Sequence, residues 1–212
     1  MNKIDLQAMQ QNEFQSFIAE HASVIEEIRL SAYALHAGVN QTYGNDKPYG
    51  FHLDMVAEGV RRYGYLVCAS TADILPLLFG AYYHDSIEDA RQTYNDVLRT
   101  ARRFMDDAQA RTATEIVYAL TNDKGRTRAE RAGENYYKGI RQTPYAPFVK
   151  LADRRANIAY SVANATALNS RMRSVYAEEL PHFLDAINAN STDPRLAIPS
   201  PMVDEVTDLI QQ

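Results

Sequence analysis

Cysteine is nearly missing from this chain: Cys68 is the only one in 212 residues. An intrachain disulfide and a thiolate metal cluster are both excluded. Any metal site has to be built from histidine and carboxylate. Long apolar runs are missing too. No stretch approaches the roughly 18 apolar residues of a membrane span, and residues 1–15 lack an apolar signal core. The expectation is a soluble, cytoplasmic protein with no membrane partner. β-Alternation never persists long enough to indicate a sheet, and no internal repeat or low-complexity tract is present. Positive charge is in deficit, with a formal net charge of −5. That argues against long nucleic acid as a partner, because phosphate binding wants a basic face. A small anionic substrate is still compatible, since a metal and a few local bases make an electropositive pocket.

What is present is an ordinary globular composition, 46% hydrophobic and 23% charged, enough for a substantial core. The length fits one domain with an appendage. Apolar residues recur at three- and four-residue spacing almost throughout, which predicts an all-α fold. Helices are expected over residues 13–37, 52–63, 93–104, 107–120, 127–141 and 170–189. Two more are expected: one capped by Thr71 or Asp73 and ending at His84, and one started by Pro144 and Pro147 and running to Ser161. Pro181 predicts a kink or break in the last long helix. Residues 1–189 read as the domain. Residues 190–212 read as a linker and short amphipathic helix that docks, meets a second subunit or frays.

The chemistry concentrates in Tyr83-His84-Asp85-Ser86-Ile87-Glu88-Asp89. On a continuous helix, residues four apart share a face, which would set Glu88 over His84 and Asp89 over Asp85. Such a cluster of acids is unfavourable without a cation. His84-Asp85 follows an apolar run (Leu77, Leu78, Phe79, Ala81), and a buried unpaired carboxylate is costly. A metal would resolve this; so would an ion pair with Arg91, Arg154 or Arg155. His52, at a helix entrance, and Asp153, at the end of Phe148-Val149-Lys150-Leu151-Ala152, are further candidate ligands. The plain alternative for Asp153 is a pair with Lys150 or Arg154. Ligands of nitrogen and oxygen without sulfur suit Mn²⁺, Fe²⁺, Zn²⁺ or Mg²⁺, with histidine biasing against Mg²⁺. Glu88 and Asp89 exceed what one divalent ion needs as direct ligands. They either orient and deprotonate a water or form a solvated turn paired with Arg91.

These residues resemble a known family. His84-Asp85-Ser86-Ile87-Glu88-Asp89 resembles the HD-x-x-ED motif of bacterial alarmone synthetase/hydrolases and their small stand-alone hydrolase relatives, which are HD-domain metal phosphohydrolases. Lys150-Leu151-Ala152-Asp153-Arg154-Arg155-Ala156-Asn157 resembles their K-L-A-D-R-x-x-N motif. Pro48-Tyr49-Gly50-Phe51-His52 resembles their P-Y-x-x-H, and Leu120-Thr121-Asn122-Asp123-Lys124 a further stretch. The four occur in family order over residues 32–161. The resemblance implies an HD-domain helical bundle and a single Mn²⁺ held by His52, His84, Asp85 and Asp153. It implies Glu88 and Asp89 at the nucleophilic water, and Asn157 at the substrate ribose or the ligand shell. It implies removal of pyrophosphate from the 3′ position of guanosine tetra- or pentaphosphate. Some small relatives act on adenosine analogues or on the 2′-phosphate of NADPH. Lys124, Arg126 and Arg128 fall where the family meets substrate phosphates; the plain alternative is a solvated basic loop. The lack of a synthetase or regulatory domain is that of a stand-alone enzyme, and a homo-oligomer is compatible.

The chain departs from the family before P-Y-x-x-H, where an Arg-Lys pair is usual and the Arg stacks on the base. Here the loop from His36 to Lys47 has Lys47 as its one basic residue apart from its opening histidine. Tyr43 offers aromatic contact in place of the Arg, without its charge or bidentate fork. Tyr160 is bulkier than the family residue. Both changes fall on the expected nucleobase side. Tyr43, Lys47 and Tyr160 are therefore the candidate base-side contacts. The metal side is intact, so phosphoester hydrolysis is better founded than any one nucleotide, and an inactive nucleotide-binding module is a further alternative.

Overall fold

The computed structural model describes residues 9–44, 46–122, 126–164 and 166–211, and only the backbone of residues 128 and 129. The described chain is all-α apart from one tiny hairpin. In chain order the elements are α1 (Gln11–Glu20), α2 (Ala22–Gly38), β1 (Thr42–Tyr43), β2 (Lys47–Pro48), α3 (Gly50–Tyr63), α4 (Ile74–Tyr83), α5 (Tyr94–Ala101), α6 (Asp107–Leu120), α7 (Arg128–Arg131), α8 (Glu134–Gln142), α9 (Ala146–Ala163), α10 (Ala167–Ile187) and α11 (Ser200–Gln211). Among the described residues no helix is long and apolar enough to cross a membrane.

α4 is the central rod. Every residue from Ile74 to Tyr83 is buried, which explains its unbroken apolar sequence. Pro76 is tolerated in its first turn, where no intrahelical N–H bond is owed. A short 3₁₀ turn leads in, fixed by the Ser70 amide donating to Asp73 Oδ2 at 2.8 Å. Gly80 lets α6 approach closely: a Cβ there would lie 2.7 Å from Ile116. α4 packs against α2, α3 and α6, while α3 also packs on α9. Three helices that carry candidate ligands therefore share one core.

Four local expectations are corrected. Residues 13–37 form two helices rather than one. His21 stacks on Phe17, and its Nδ1 lies 2.9 Å from the Phe17 carbonyl oxygen, so a side chain competes for a backbone acceptor at the break. Residues 127–141 also divide, because Gly133 is extended between α7 and α8. The loop before α3 does pair, with Thr42 opposite Pro48 and Tyr43 opposite Lys47. Its turn is made possible by Gly44 at φ +63°, where a Cβ would also collide with the Tyr160 hydroxyl at 2.0 Å. Finally, α10 continues through Pro181, on an exposed face, because Leu180, Phe183 and Ile187 bury the opposite one.

The tail docks. α11 lays Met202, Val203 and Val206 into the core beside α9. Glu205 accepts from Arg155 Nε and Nη2 at 2.6 and 2.9 Å, from Arg62 at 2.7 Å and from the Tyr63 hydroxyl at 2.9 Å. This clasp fastens α11 to the two helices that carry His52 and Asp153.

Candidate metal centre

His52 lies in the first turn of α3, His84-Asp85 directly after α4, and Asp153 in the middle of α9. Packing of α3 on α4 and α9 brings them together. One ligand atom each from His52, His84 and Asp153 lies within 4.8 Å of the others. The two Nε2 atoms are 3.3 Å apart. Asp153 Oδ1 is 3.4 Å from His52 Nε2 and 3.9 Å from His84 Nε2. Asp85 joins from the side, its Oδ2 2.9 Å from His84 Nε2 and 3.8 Å from His52 Nε2. Both imidazoles are buried.

The donor set fits a divalent cation. His84 Nδ1 is 2.9 Å from the Ala81 carbonyl oxygen, which can only accept, so Nδ1 carries the proton and Nε2 turns its lone pair to the cluster. Two imidazole nitrogens facing each other among two carboxylates are satisfied by one shared cation. Without one they must share protons. Burial alone would pull the His84 pKa down, but the adjacent Asp85 carboxylate overrides it and pushes it up to about 9. For Asp85 burial works upward, and the His84 charge and hydrogen bond win, holding its carboxyl below the usual range. Asp153 is likewise held low against its burial, by Lys150 and the two histidines.

The arginine alternatives for Asp85 are absent from its hydrogen bonds. Arg154 pairs with Glu179 at 2.8 Å, and Arg155 with Glu58 and Glu205. Asp85 instead accepts from the Tyr49 hydroxyl and faces His84. Asp153 divides its oxygens. Oδ2 takes Lys150 Nζ at 3.0 Å, the plain ion pair expected from sequence, while Oδ1 faces the histidines and accepts from Asn157 Nδ2 at 2.6 Å.

Glu88 and Asp89 do not stack over His84 and Asp85 on a helix. α4 stops at Tyr83 and the motif continues as turns. Two bonds of helical spacing survive, from Asp89 N to the Asp85 carbonyl at 2.8 Å and from Ala90 N to the Ser86 carbonyl at 3.2 Å. Glu88 reaches instead across to Asn122, accepting from its side-chain amide at 2.9 Å and its backbone N–H at 3.3 Å. Asp89 accepts from Gln41 Nε2 at 2.7 Å. Its carboxyl is pushed up by burial and by the charge of Asp85, with Gln41 opposing.

The supporting shell was largely invisible in the sequence. Because Gln41 gives its amide nitrogen to Asp89, its oxygen faces His36 Nδ1, 2.5 Å away, and that nitrogen carries the proton. Burial lowers the His36 pKa, against the hydrogen bond with Gln41. The ring stacks on Tyr49 at 4.5 Å. Pro48-Tyr49-Gly50-Phe51-His52 offers a candidate ligand, but nothing in the order of residues says that His36, Gln41 and Tyr49 brace Asp89 and Asp85.

On the hairpin side, the Tyr43 ring stacks on His52 at 4.8 Å, and its hydroxyl donates to Asn157 Oδ1 at 2.9 Å. Tyr160 meets Tyr43 edge-on at 4.7 Å, and Lys47 Nζ sits 4.7 Å above the Phe51 ring. Asn157 thus links the Tyr43 hydroxyl to the candidate ligand Asp153. Of the expected phosphate bases, Lys124 lies outside the described residues, as does the side chain of Arg128. Arg126 is exposed, its amide donating to Glu130 at 2.6 Å. No family model and no curated protein matches the chain.

Proposed function

We propose that the protein is a metal-dependent phosphohydrolase of the HD-domain type that cleaves a nucleotide phosphoester. Its first candidate reaction is release of pyrophosphate from the 3′ position of guanosine tetra- or pentaphosphate. The observation that carries the reading is the buried convergence of His52, His84, Asp85 and Asp153, with two further acids beside it. Mn²⁺ is the preferred ion, with other divalent metals compatible with the same donors. A bound ion would acidify a coordinated water and polarise a phosphoryl oxygen. Asp89, held by Gln41, would take a proton from that water. Glu88, held by Asn122, would orient it. Lys124 and Arg128 are the sequence's candidates to offset charge on the leaving pyrophosphate. A small nucleotide is the partner, in the cytoplasm.

A second reading keeps the chemistry and changes the nucleotide to an adenosine alarmone, NADPH or a nucleoside polyphosphate. The Tyr43 geometry favours it, because that ring and hydroxyl are engaged by His52 and Asn157. The test is Mn²⁺-dependent hydrolysis of these nucleotides side by side, with Asp153→Ala as control. Rapid pyrophosphate release from the guanosine substrate supports the first reading. Turnover of another nucleotide alone supports the second. Metal binding with no turnover at all refutes both and leaves a nucleotide-binding module.

A further inference from the structure

A cavity of about 680 Å³ opens between α8, α9 and α10, with Asp153 and Asn157 in its wall. It leads directly from the metal cluster. A second hollow of about 530 Å³ continues it, sharing Ala132, Tyr137 and His182. Volumes of this order suit small organic ligands, whose pockets run to roughly 300–1,000 Å³.

The walls select by charge. Arg131, Lys150 and Arg154 face two acids, Asp153 and Glu179. Lys150 is matched to Asp153 at 3.0 Å and Arg154 to Glu179 at 2.8 Å. Arg154 is also sandwiched, 4.8 Å from the Tyr176 ring and 4.3 Å from that of Phe183. Arg131, exposed at the mouth, has no carboxylate within ion-pair distance among the described residues. A cation in the cluster would leave this cavity positive in a chain whose net charge is −5.

The walls also offer a ring. Tyr137 is half-buried, tilted against Tyr136 at 5.3 Å and edge-on to His182 at 6.4 Å. It has no stacked ring partner among the described residues. On the hairpin, the rings beside the cluster are already engaged with each other, Tyr43 stacked on His52 with Tyr160 against it.

We propose that this cavity holds the part of the substrate that is not hydrolysed, and that it takes a nucleotide whose ring stacks on Tyr137 and whose remaining phosphate meets Arg131. The inference rests on the phosphohydrolase reading. It makes Arg131 and Tyr137, which line the cavity, determinants of substrate affinity.

The experiment compares wild type, Arg131→Glu, Tyr137→Ala and Tyr137→Phe, with Arg111→Glu on α6 as a control for net charge. Two readouts are taken on the Mn²⁺-loaded protein: steady-state hydrolysis of guanosine tetraphosphate and of NADPH, and calorimetric binding of guanosine 5′-diphosphate. Losing one charge-assisted phosphate contact or one stacked ring should raise KM and Kd roughly tenfold or more, with kcat changing far less. Arg111→Glu, at a residue that pairs with Asp107 on α6, should match wild type, and Tyr137→Phe, which keeps the ring, should lose far less affinity than Tyr137→Ala. KM and Kd unchanged in both Arg131→Glu and Tyr137→Ala overturn the inference and leave the hydrolase reading standing. If wild type hydrolyses neither nucleotide, the hydrolase reading fails for these substrates and the diphosphate titration decides the cavity. Binding weakened by the same two substitutions supports it, and absence of binding overturns it.

Discussion

Removing the Tyr43 hydroxyl tests whether the hairpin braces the metal centre. The structure gives a two-bond chain: Tyr43 donates to Asn157 Oδ1 at 2.9 Å, and Asn157 donates to Asp153 Oδ1 at 2.6 Å. Tyr43→Phe keeps the ring on His52 and deletes only the first bond. A neutral hydrogen bond contributes about 1 kcal/mol net, so Mn²⁺ affinity should fall roughly fivefold, since about 1.4 kcal/mol is tenfold. Asn157→Ala deletes the bond to the carboxylate itself. A bond to a charged group contributes about 1.5–3 kcal/mol, so the loss should be on the order of 10- to 100-fold, the range found when outer partners of metal ligands are removed. Asp153→Ala removes a ligand and should abolish retention of the ion. The assay is calorimetric Mn²⁺ titration of each purified variant, with circular dichroism to establish that the helices persist. The order Asp153→Ala, then Asn157→Ala, then Tyr43→Phe is the expectation. An Asn157→Ala protein that binds Mn²⁺ as tightly as wild type would refute the chain. So would Tyr43→Phe losing more affinity than Asn157→Ala.

Glu88→Ala should keep the ion, because Glu88 bonds to Asn122 rather than to a histidine, and should lower turnover; full turnover in the variant removes Glu88 from the reaction. Glu205 sets an acid limit on the docking of α11. Burial raises its carboxyl, but Arg155, Tyr63 and Arg62 bring it down from 4.5 to about 2. A depressed acid stabilises the fold above its unfolded pKa, so this contribution is complete above pH 4.5 and is lost as the pH falls towards 2. Allowing for solvent screening at a partly exposed site, it is on the order of 2 kcal/mol. Urea titrations of wild type and Glu205→Gln should diverge at neutral pH and converge in acid; parallel curves down to the lowest pH would contradict the assignment. Gly44→Ala forces a Cβ into a left-handed turn and onto the Tyr160 hydroxyl, and should lower stability by roughly 1–3 kcal/mol. A thermal midpoint equal to that of wild type would show that the hairpin yields without cost.

The all-α class was legible because apolar spacing is a local property of the chain. α6 spans the residues its apolar spacing predicts, 107–120, and Asp106 and Gln109 cap its start by mutual hydrogen bonds. His52, His84, Asp85 and Asp153 were legible as candidates from residue type and from the hydrophobic runs beside them. Other features required tertiary structure. That Glu88 turns to Asn122 depends on where α4 stops and how α6 ends, not on four-residue spacing. Tyr43 and Asn157 are 114 positions apart, and their bond exists because the hairpin folds onto α9. The cavity exists because residues of α8, α9 and α10 that are distant in the chain line one space beside Asp153. Sequence by itself determined which side chains can do chemistry and which segments coil. Only the packed structure decided which of them meet, because hydrogen bonds and ion pairs act over a few ångströms between residues that the chain keeps far apart.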